Sequence, residues 1–162
     1  MKIKMVAPDD WMKFRDIRLA GLQTDPQAFS GNLGEEAERK EPDWRKRLES
    51  ADRFYFAAEE RGSFVSIAGA KEIGGKSWML VAVHTLPRAR GRKLAQRLVE
   101  EVVDECKRRG SDRVELMVNV DQKDAVHLYE KSGFKTVKLT KDEKMGDGKL
   151  HDEFLMERLL EA

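Results

Sequence analysis

A cluster of basic residues marks the point where an apolar run gives way to a long helix. Residues 87–95 contain three arginines and one lysine around a single glycine, Gly91. The positive end of the helix dipole lies at the N-terminus, so each exposed cation there costs about 0.3–1 kcal/mol. A bound polyphosphate would reverse this cost, because free helix N–H groups, a flexible glycine and several cations form an anion site. The four cations are Arg88, Arg90, Arg92 and Lys93.

Two other interpretations of this basic turn remain open. It can be a solvated surface turn, or its charge can contact a nucleic-acid backbone. No aromatic residues are interleaved with the basic ones to stack on bases. The sequence also contains no G-x-x-x-x-G-K-[ST] loop and no G-x-G-x-x-G motif, which excludes two common nucleotide-binding loops.

Two helices follow the turn. Apolar residues recur every fourth position from Leu94 to Cys106 and predict a helix that is closed by Gly110. Cys106 lies on this apolar stripe, so we interpret it as a core residue rather than a nucleophile. The second helix is predicted at Gln122–Ser132, with Asp121 as its cap. A tyrosine on its inner face, Tyr129, is by spacing alone a core residue.

Two segments, in this order, resemble signatures of the GNAT family of acetyltransferases. The family's [QR]-x-x-G-x-[GA] signature at a strand-to-helix turn is similar to Arg90–Ala95, in which Lys93 replaces the inner glycine. The family's N-x-x-N-x-x-A-x-x-L-Y-x-x-x-G-F segment is similar to Asn119–Phe134, in which Gln122 replaces the inner asparagine. The resemblance extends over roughly residues 54–159, and the region before it matches only as the family's variable N-terminal part.

The resemblance implies an α/β fold in which helices flank a mixed, mostly antiparallel sheet with splayed central strands. A single N-acetyltransferase domain over residues 1–162 is expected. Strands are predicted at residues 1–6, 53–60, 63–72, 78–85, 114–120, 134–139 and 154–159. Helices are predicted at 8–22 and 43–50 in addition to the two above, with residues 27–43 irregular.

Acetyl-CoA is the cosubstrate that the resemblance implies. In the family, pantetheine pairs with the exposed backbone of the splayed strand before the turn, and the pyrophosphate sits on the amides of the signature turn. The leaving thiolate is stabilised or protonated by the tyrosine, here Tyr129. The predicted cofactor-binding residues are therefore Val83, Thr85, Arg90, Gly91, Arg92, Lys93, Leu94, Ala95, Asn119 and Tyr129.

The implied reaction is direct attack of a primary amine on the thioester, which needs no nucleophilic side chain. Tyrosine, with an ordinary pKa of about 10, keeps its proton at neutral pH and can donate it to a thiolate. A backbone N–H of the splayed strand is expected to stabilise the oxyanion. The base is less defined: His84 is the candidate, and Glu72 and a chain of water molecules are alternatives.

Composition limits the other possibilities. The net charge of +1, from 31 basic and 30 acidic residues, does not favour nucleic-acid or membrane binding. One cysteine, no export signal and no apolar run long enough to span a bilayer favour a cytoplasmic location. No histidine pair or Cys/His cluster has metal-ligand spacing, so no metal is expected.

The acceptor is not identified by the sequence. It is expected to approach between Trp11–Ala51 and the loop Thr140–Lys149. Glu35, Glu36 and Glu38 could attract a cationic acceptor, but a solvated acidic face is the preferred interpretation. The alternative function is a non-catalytic acyl-CoA-binding sensor of the same fold, and a homodimer is left open.

Overall fold

The computed structural model describes residues 1–161 and has helices on both faces of a seven-stranded sheet. The strand order is β1-β2-β3-β4-β5-β7-β6, and every neighbouring pair is antiparallel except β4 and β5. The strands are β1 (Lys2–Met5), β2 (Arg53–Glu60), β3 (Ser63–Gly74), β4 (Ser77–Thr85), β5 (Arg113–Asn119), β6 (Lys135–Lys144) and β7 (Leu150–Leu159). The helices are α1 (Trp11–Thr24), α2 (Leu33–Ala37), α3 (Glu41–Glu49), α4 (Leu94–Arg108) and α5 (Lys123–Lys131), with single 3-10 turns at Pro8–Asp10, Pro26–Ala28 and Pro87–Ala89.

The sheet separates two apolar cores. On one face the predicted stripe of α4 is buried from Leu94 to Cys106, together with aromatic residues of β2 and β4. Burial raises the pKa of the Cys106 thiol to about 12, so this group is an unreactive core residue as predicted. On the other face Phe14 and Ile17 of α1 pack with Trp44 of α3 against β2 and β3. The predicted anion site therefore lies on the α4 face, and α1 and α3 cover the opposite face of the sheet.

A gap opens between the two central strands. β4 pairs with β5 at only three positions, Ser77 to Met79, and the two strands then diverge. Beyond this point β4 bends at Ala82, a non-glycine residue with a φ of +57°, where its register with β3 shifts between Gly69 and Ile67. The splayed central strands expected from the sequence are thus confirmed.

Two predictions of local structure were wrong. Residues 27–43 were expected to be irregular, but Leu33–Ala37 forms a short helix that Asn32 caps by accepting a hydrogen bond from the Glu35 N–H at 3.0 Å. The loop predicted at Thr140–Lys149 is strand in its first half, because β6 extends to Lys144, and only residues 145–149 connect β6 to β7. β6 lies at the edge of the sheet with most side chains exposed, so its charged sequence lacks an apolar alternation.

Candidate active site

A large cavity lies where β4 and β5 separate. It has a volume of about 830 Å³ and crosses the sheet from the α4–α5 side to the α1–α3 side. A smaller cavity of about 340 Å³ adjoins it at the N-terminus of α4 and shares Thr85, Arg90 and Ala95 with it. The gap and the start of the long helix therefore form one continuous recess.

The N-terminus of α4 presents unused backbone donors to this recess. The first main-chain hydrogen bond of the helix runs from the Arg97 N–H to the Lys93 carbonyl at 3.2 Å, and no side chain caps the helix. The N–H groups before Arg97 in the first turn consequently have no intrahelical acceptor. Gly91 (φ +85°) and Lys93 (φ +59°) both adopt left-handed backbone, which turns this segment into a concave loop. These donors fit a pyrophosphate.

Two of the four cations in the basic turn, Arg90 and Arg92, are paired with acidic side chains. The Arg90 guanidinium contacts Asp25 at 3.0 Å and donates to the Thr85 carbonyl at 3.1 Å. Arg92 points away and forms a two-pronged ion pair with Glu60, at 2.9 and 3.3 Å. Backbone N–H groups are therefore a larger part of what this turn offers to an anion than the count of four cations indicates.

Tyr129 lies on α5 and lines the main cavity. Its side chain is buried, with its ring packed edge-on against Phe134 at 6.1 Å between centroids. Burial raises the pKa of the Tyr129 phenol above its ordinary value, so the hydroxyl keeps its proton throughout the physiological range. The structure thus places a protonated hydroxyl group at the edge of the gap.

His84 lies near the end of β4, on the opposite side of the same cavity. Its ring packs edge-on against Phe29, and its Nδ1 lies 3.6 Å from Oδ2 of Asp25. Its Nε2 is buried and has no hydrogen-bond partner among the described residues. Burial lowers the pKa of His84, an effect that Asp25 opposes and Arg90 supports. The imidazole is therefore neutral at pH 7 and able to accept a proton.

The sequence matches one family model over most of its length. The model of the Acetyltransferase (GNAT) family matches residues 19–134. The chain belongs to this family. No curated protein matches the chain in sequence.

Solved structures share the GNAT fold along almost the whole chain, at low sequence identity. A GNAT-family acetyltransferase from Streptococcus pneumoniae is 22% identical, with a TM-score of 0.82 over 98% of this chain and 99% of its own. A phosphinothricin acetyltransferase from Sinorhizobium meliloti, solved with acetyl-CoA, is 19% identical, with a TM-score of 0.81 over 98% and 88%. A ribosomal-protein-alanine N-acetyltransferase from Brucella melitensis is 17% identical, with a TM-score of 0.81 over 99% and 100%. At these identities, the structural likeness establishes the fold.

Most of the predicted site residues of this GNAT protein meet in the recess. The set lining the main cavity comprises Val83, His84, Thr85, Arg90, Ala95, Asn119 and Tyr129. Gly91, Lys93 and Leu94 line the adjoining one. Arg92 lines neither cavity, because its side chain is held by Glu60. Glu72, the alternative base, is exposed and also lies outside both cavities.

Asn119 lines the main cavity and also forms the hydrogen bonds of the turn before α5. Its side-chain oxygen accepts a hydrogen bond from the Asp121 N–H at 2.8 Å, and its carbonyl accepts one from the Gln122 N–H at 3.0 Å. The side chain therefore fixes the direction in which α5 leaves β5. This direction brings Tyr129 to the gap.

Glu153 is a cavity residue that the sequence analysis missed. It lies on β7 opposite Asn119, and its buried side chain lines the main cavity. Burial raises the pKa of Glu153, and the nearby Glu143 adds to the rise while His151 opposes it. No feature of the sequence indicated this position, because the last strand was predicted to begin one residue later, at Phe154, whereas it begins at Leu150. A carboxylate with a raised pKa in a cavity is a candidate proton acceptor.

One of the three glutamates near α2 is not solvated: Glu35 and Glu38 are exposed as expected, but Glu36 is not. Glu36 is buried and binds the Arg18 guanidinium through two contacts of 3.1 and 3.2 Å. Arg47 and Arg39 approach the same carboxylate at 3.5 and 3.6 Å. Glu36 therefore anchors α2 to α1 and α3.

The turn between β6 and β7 closes one edge of the cavity. The Gly146 N–H donates to the Phe29 carbonyl at 2.6 Å, and Met145 lines the cavity beside it. A side chain at residue 146 would meet the Gly31 carbonyl oxygen at 2.5 Å, so only glycine permits this approach. The predicted acceptor side is thus bounded by the segment after α1 and by this turn.

Within residues 1–161, no helix is both long and apolar enough to cross a membrane. Within the same residues, no group of three or more histidine, cysteine, aspartate or glutamate side chains is arranged to hold a metal ion.

Proposed function

We propose that this GNAT protein transfers the acetyl group of acetyl-CoA to a primary amine by direct attack. The observation that carries the proposal is the alignment of three features along one recess: the N-terminus of α4, the gap between β4 and β5, and the Tyr129 hydroxyl group. Anion donors, an unpaired strand edge and a proton donor are the groups that a CoA thioester requires.

The cosubstrate would be held mainly by main-chain groups. Its pyrophosphate would occupy the first turn of α4, where the N–H groups before Arg97 lack acceptors. Its pantetheine arm would extend along β4, at Val83 and Thr85, in the place that β5 leaves open. The Thr85 carbonyl already accepts from Arg90, so the Thr85 N–H and the Val83 backbone are the groups proposed to pair with the arm.

The amine would reach the thioester from the α1–α3 side. Its nitrogen forms a bond to the carbonyl carbon, and the C–S bond breaks. The thiolate takes a proton from the Tyr129 hydroxyl, which is restored by the proton that the nitrogen releases as the amide forms. A backbone N–H of β4 beside the Ala82 bend would stabilise the oxyanion, because the bend interrupts the pairing of β4 with β3 at that point.

Two groups are proposed as acceptors of the proton that the ammonium must lose. His84 is neutral at pH 7 and has an unpartnered Nε2. Glu153 is a buried carboxylate in the same cavity, and its raised pKa makes it a stronger base than an ordinary glutamate. The two lie on different strands, β4 and β7, so single substitutions separate them.

A panel of primary amines with acetyl-CoA tests the proposal, with release of free thiol as the readout. We expect at least one class of amine to accelerate thiol release above the rate of hydrolysis, and Tyr129→Phe to suppress that acceleration. The matched control is Tyr55→Phe, because Tyr55 is also buried and also lines the cavity, but from β2. CoA binding with no acceleration by any amine would instead favour an acyl-CoA sensor.

A further inference from the structure

The α1–α3 side of the cavity, which we call the acceptor end, is lined by cations from four elements. Arg53 on β2 and Lys71 on β3 are direct cross-strand partners, and Lys71 is in turn paired with Met79 on β4. Arg18 from α1 and Arg47 from α3 extend over the same part of the sheet, and all four basic side chains line the cavity.

The arginines from the two helices are held in place by one carboxylate. Glu36 binds Arg18 and Arg47, and it also binds Arg39 outside the cavity. Arg18 additionally stacks on the Phe29 ring at 5.0 Å. A single buried carboxylate cannot neutralise three guanidinium groups, so the pair that lines the cavity keeps a surplus of positive charge.

The strand cations have still less compensation. Arg53 lies 3.4 Å from the exposed Asp52, and Lys71 has no carboxylate within 4 Å among the described residues. Four acidic residues line the cavity, but none neutralises this end: Asp25 is bound to Arg90, and the others lie on the far side of the gap. Those others are Asp121, Asp124 and Glu153.

We infer that the acceptor is a primary amine that also carries an anionic group, a carboxylate or a phosphate, bound by Arg53 and Lys71. The inference rests on the proposed function, because it names the class of the amine in that reaction. Arginine offers paired donors to a planar oxyanion and lysine a mobile point charge, so the two together accept either group. A polyamine would bring a second positive charge to a surface that already carries an excess of it.

Three amines with the same four-carbon chain test this inference: 4-aminobutanoate, butylamine and 1,4-diaminobutane. With saturating acetyl-CoA we expect kcat/KM for 4-aminobutanoate to exceed that of butylamine by about tenfold or more, since hydrogen bonds to charged groups are the stronger ones. The diamine should be the poorest of the three. The Arg53→Gln, Lys71→Gln double variant should lose the preference, with kcat/KM for 4-aminobutanoate falling to the value that the same variant shows with butylamine.

The control variant is Lys46→Gln, which removes an exposed lysine of α3 that does not line the cavity. It should keep the preference. Equal rates with the three amines, a preference for the diamine, or a preference that survives in the double variant would each overturn the inference and leave the proposed function in place. If a melting curve shows the double variant to be unfolded, Lys71→Gln alone is used, because this side chain is exposed.

A binding measurement separates failure of the inference from failure of the proposed function. Calorimetric titration of the CoA complex with 4-aminobutanoate and with butylamine reports the charge preference without turnover. Absence of thiol release with every amine would contradict the proposed function, while tighter binding of 4-aminobutanoate would still support an anionic ligand. No difference in binding would overturn the inference.

Discussion

Nδ1 of His84 on β4 lies 3.6 Å from Oδ2 of Asp25, in the segment that follows α1. The same carboxylate binds the guanidinium of Arg90 at 3.0 Å, at the start of the family's signature turn. One aspartate therefore joins the cosubstrate side of the cavity to the acceptor side. The closeness of the Asp25 carboxylate to His84 also makes the pKa of His84 depend on Asp25.

Asp25→Asn should move the ionisation of His84 to lower pH. Burial already lowers the pKa of His84 below its ordinary value, and the Asp25 carboxylate is the group that opposes this effect. If His84 accepts the proton, kcat/KM should rise with pH through this ionisation, at a pH below about 6.5. This rise of kcat/KM should occur at a still lower pH in Asp25→Asn and should be absent in His84→Gln.

The control for this pair is Asp16→Asn, an exposed aspartate on α1 that contacts only Arg15. It should leave the profile unchanged. A single ionisation that follows the pKa of the acceptor amine, and that neither His84→Gln nor Asp25→Asn alters, would remove His84 from the mechanism.

Glu153→Gln should raise the melting temperature at neutral pH and not at acidic pH. Because burial raises the pKa of Glu153, folding favours its protonated form. The contribution of this group to stability is full below its unfolded pKa and is lost as the pH rises through the folded pKa. Glutamine resembles the protonated form at every pH. The advantage of the variant should therefore appear at pH 7–8 and vanish near pH 4.

Glu157→Gln is the matched control, since Glu157 lies on the same strand outside the cavity. It should give no pH-dependent gain. Activity separates the two proposed bases: loss of turnover in Glu153→Gln, despite its higher melting temperature, would assign the proton to Glu153. Full activity in Glu153→Gln would leave His84 as the proposed side chain that accepts the proton of the ammonium.

Tyr129→Phe should lower kcat by about 10²–10⁴-fold, the usual contribution of one acid–base group. CoA affinity should hardly change, because the ring and its contact with Phe134 remain. Since burial raises the pKa of the phenol, the wild type should show no loss of kcat from Tyr129 ionisation up to about pH 10. A variant with wild-type kcat would return this tyrosine to a packing role.

Lys93→Gly should stabilise the protein. Replacing a residue that has a Cβ atom by glycine relieves about 1–2 kcal/mol of strain in left-handed backbone. Glycine also gives the unfolded chain more conformational freedom, which lowers the free energy of unfolding by about 0.4–1 kcal/mol. Denaturant unfolding should therefore show a net increase of about 1 kcal/mol. Lys93→Ala removes the same charge and keeps the strain, so it should be less stable than Lys93→Gly by about this amount.

CoA should raise the melting temperature more than pantetheine does. Ligands that bind only the folded state stabilise it by mass action, by about 2.7 kcal/mol at a hundredfold excess over Kd. The pyrophosphate is the part of CoA proposed to occupy the first turn of α4, and pantetheine lacks it. Thermal shifts at equal concentrations measure the difference. Equal shifts with both ligands would contradict the assignment of this turn to phosphate.

The periodic parts of the sequence predicted their structure, and the isolated charges did not. The apolar stripe from Leu94 to Cys106 predicted α4, because a helix needs one face to bury. Isolated charged residues such as Glu36 and Glu153 belong to no periodic pattern, so the sequence does not show whether the side chain forms a buried ion pair or lines a cavity. Glu36 was therefore misread as solvated, and Glu153 was missed.

Two residues of the signature turn, Arg92 and Lys93, show features that the family motif does not predict. Lys93 stands where the family signature has glycine, and its φ of +59° shows that the backbone keeps the glycine-like conformation. Arg92 was predicted as a cofactor-binding residue from its place in the motif, but its pairing with Glu60 depends on a strand more than thirty residues away. Sequence spacing carries no information about such a partner.

The three residue pairs that join β4 to β5 have a consequence for exchange with deuterated water. Beyond Met79 and Glu115, backbone N–H groups that face the gap have solvent as their partner, while those facing β3 and β7 are held in ladders. Hydrogen exchange along β4 and β5 should thus alternate between fast and slow positions in the free protein. A molecule that lies in the gap would slow the fast positions on β4 and so report its presence without any turnover.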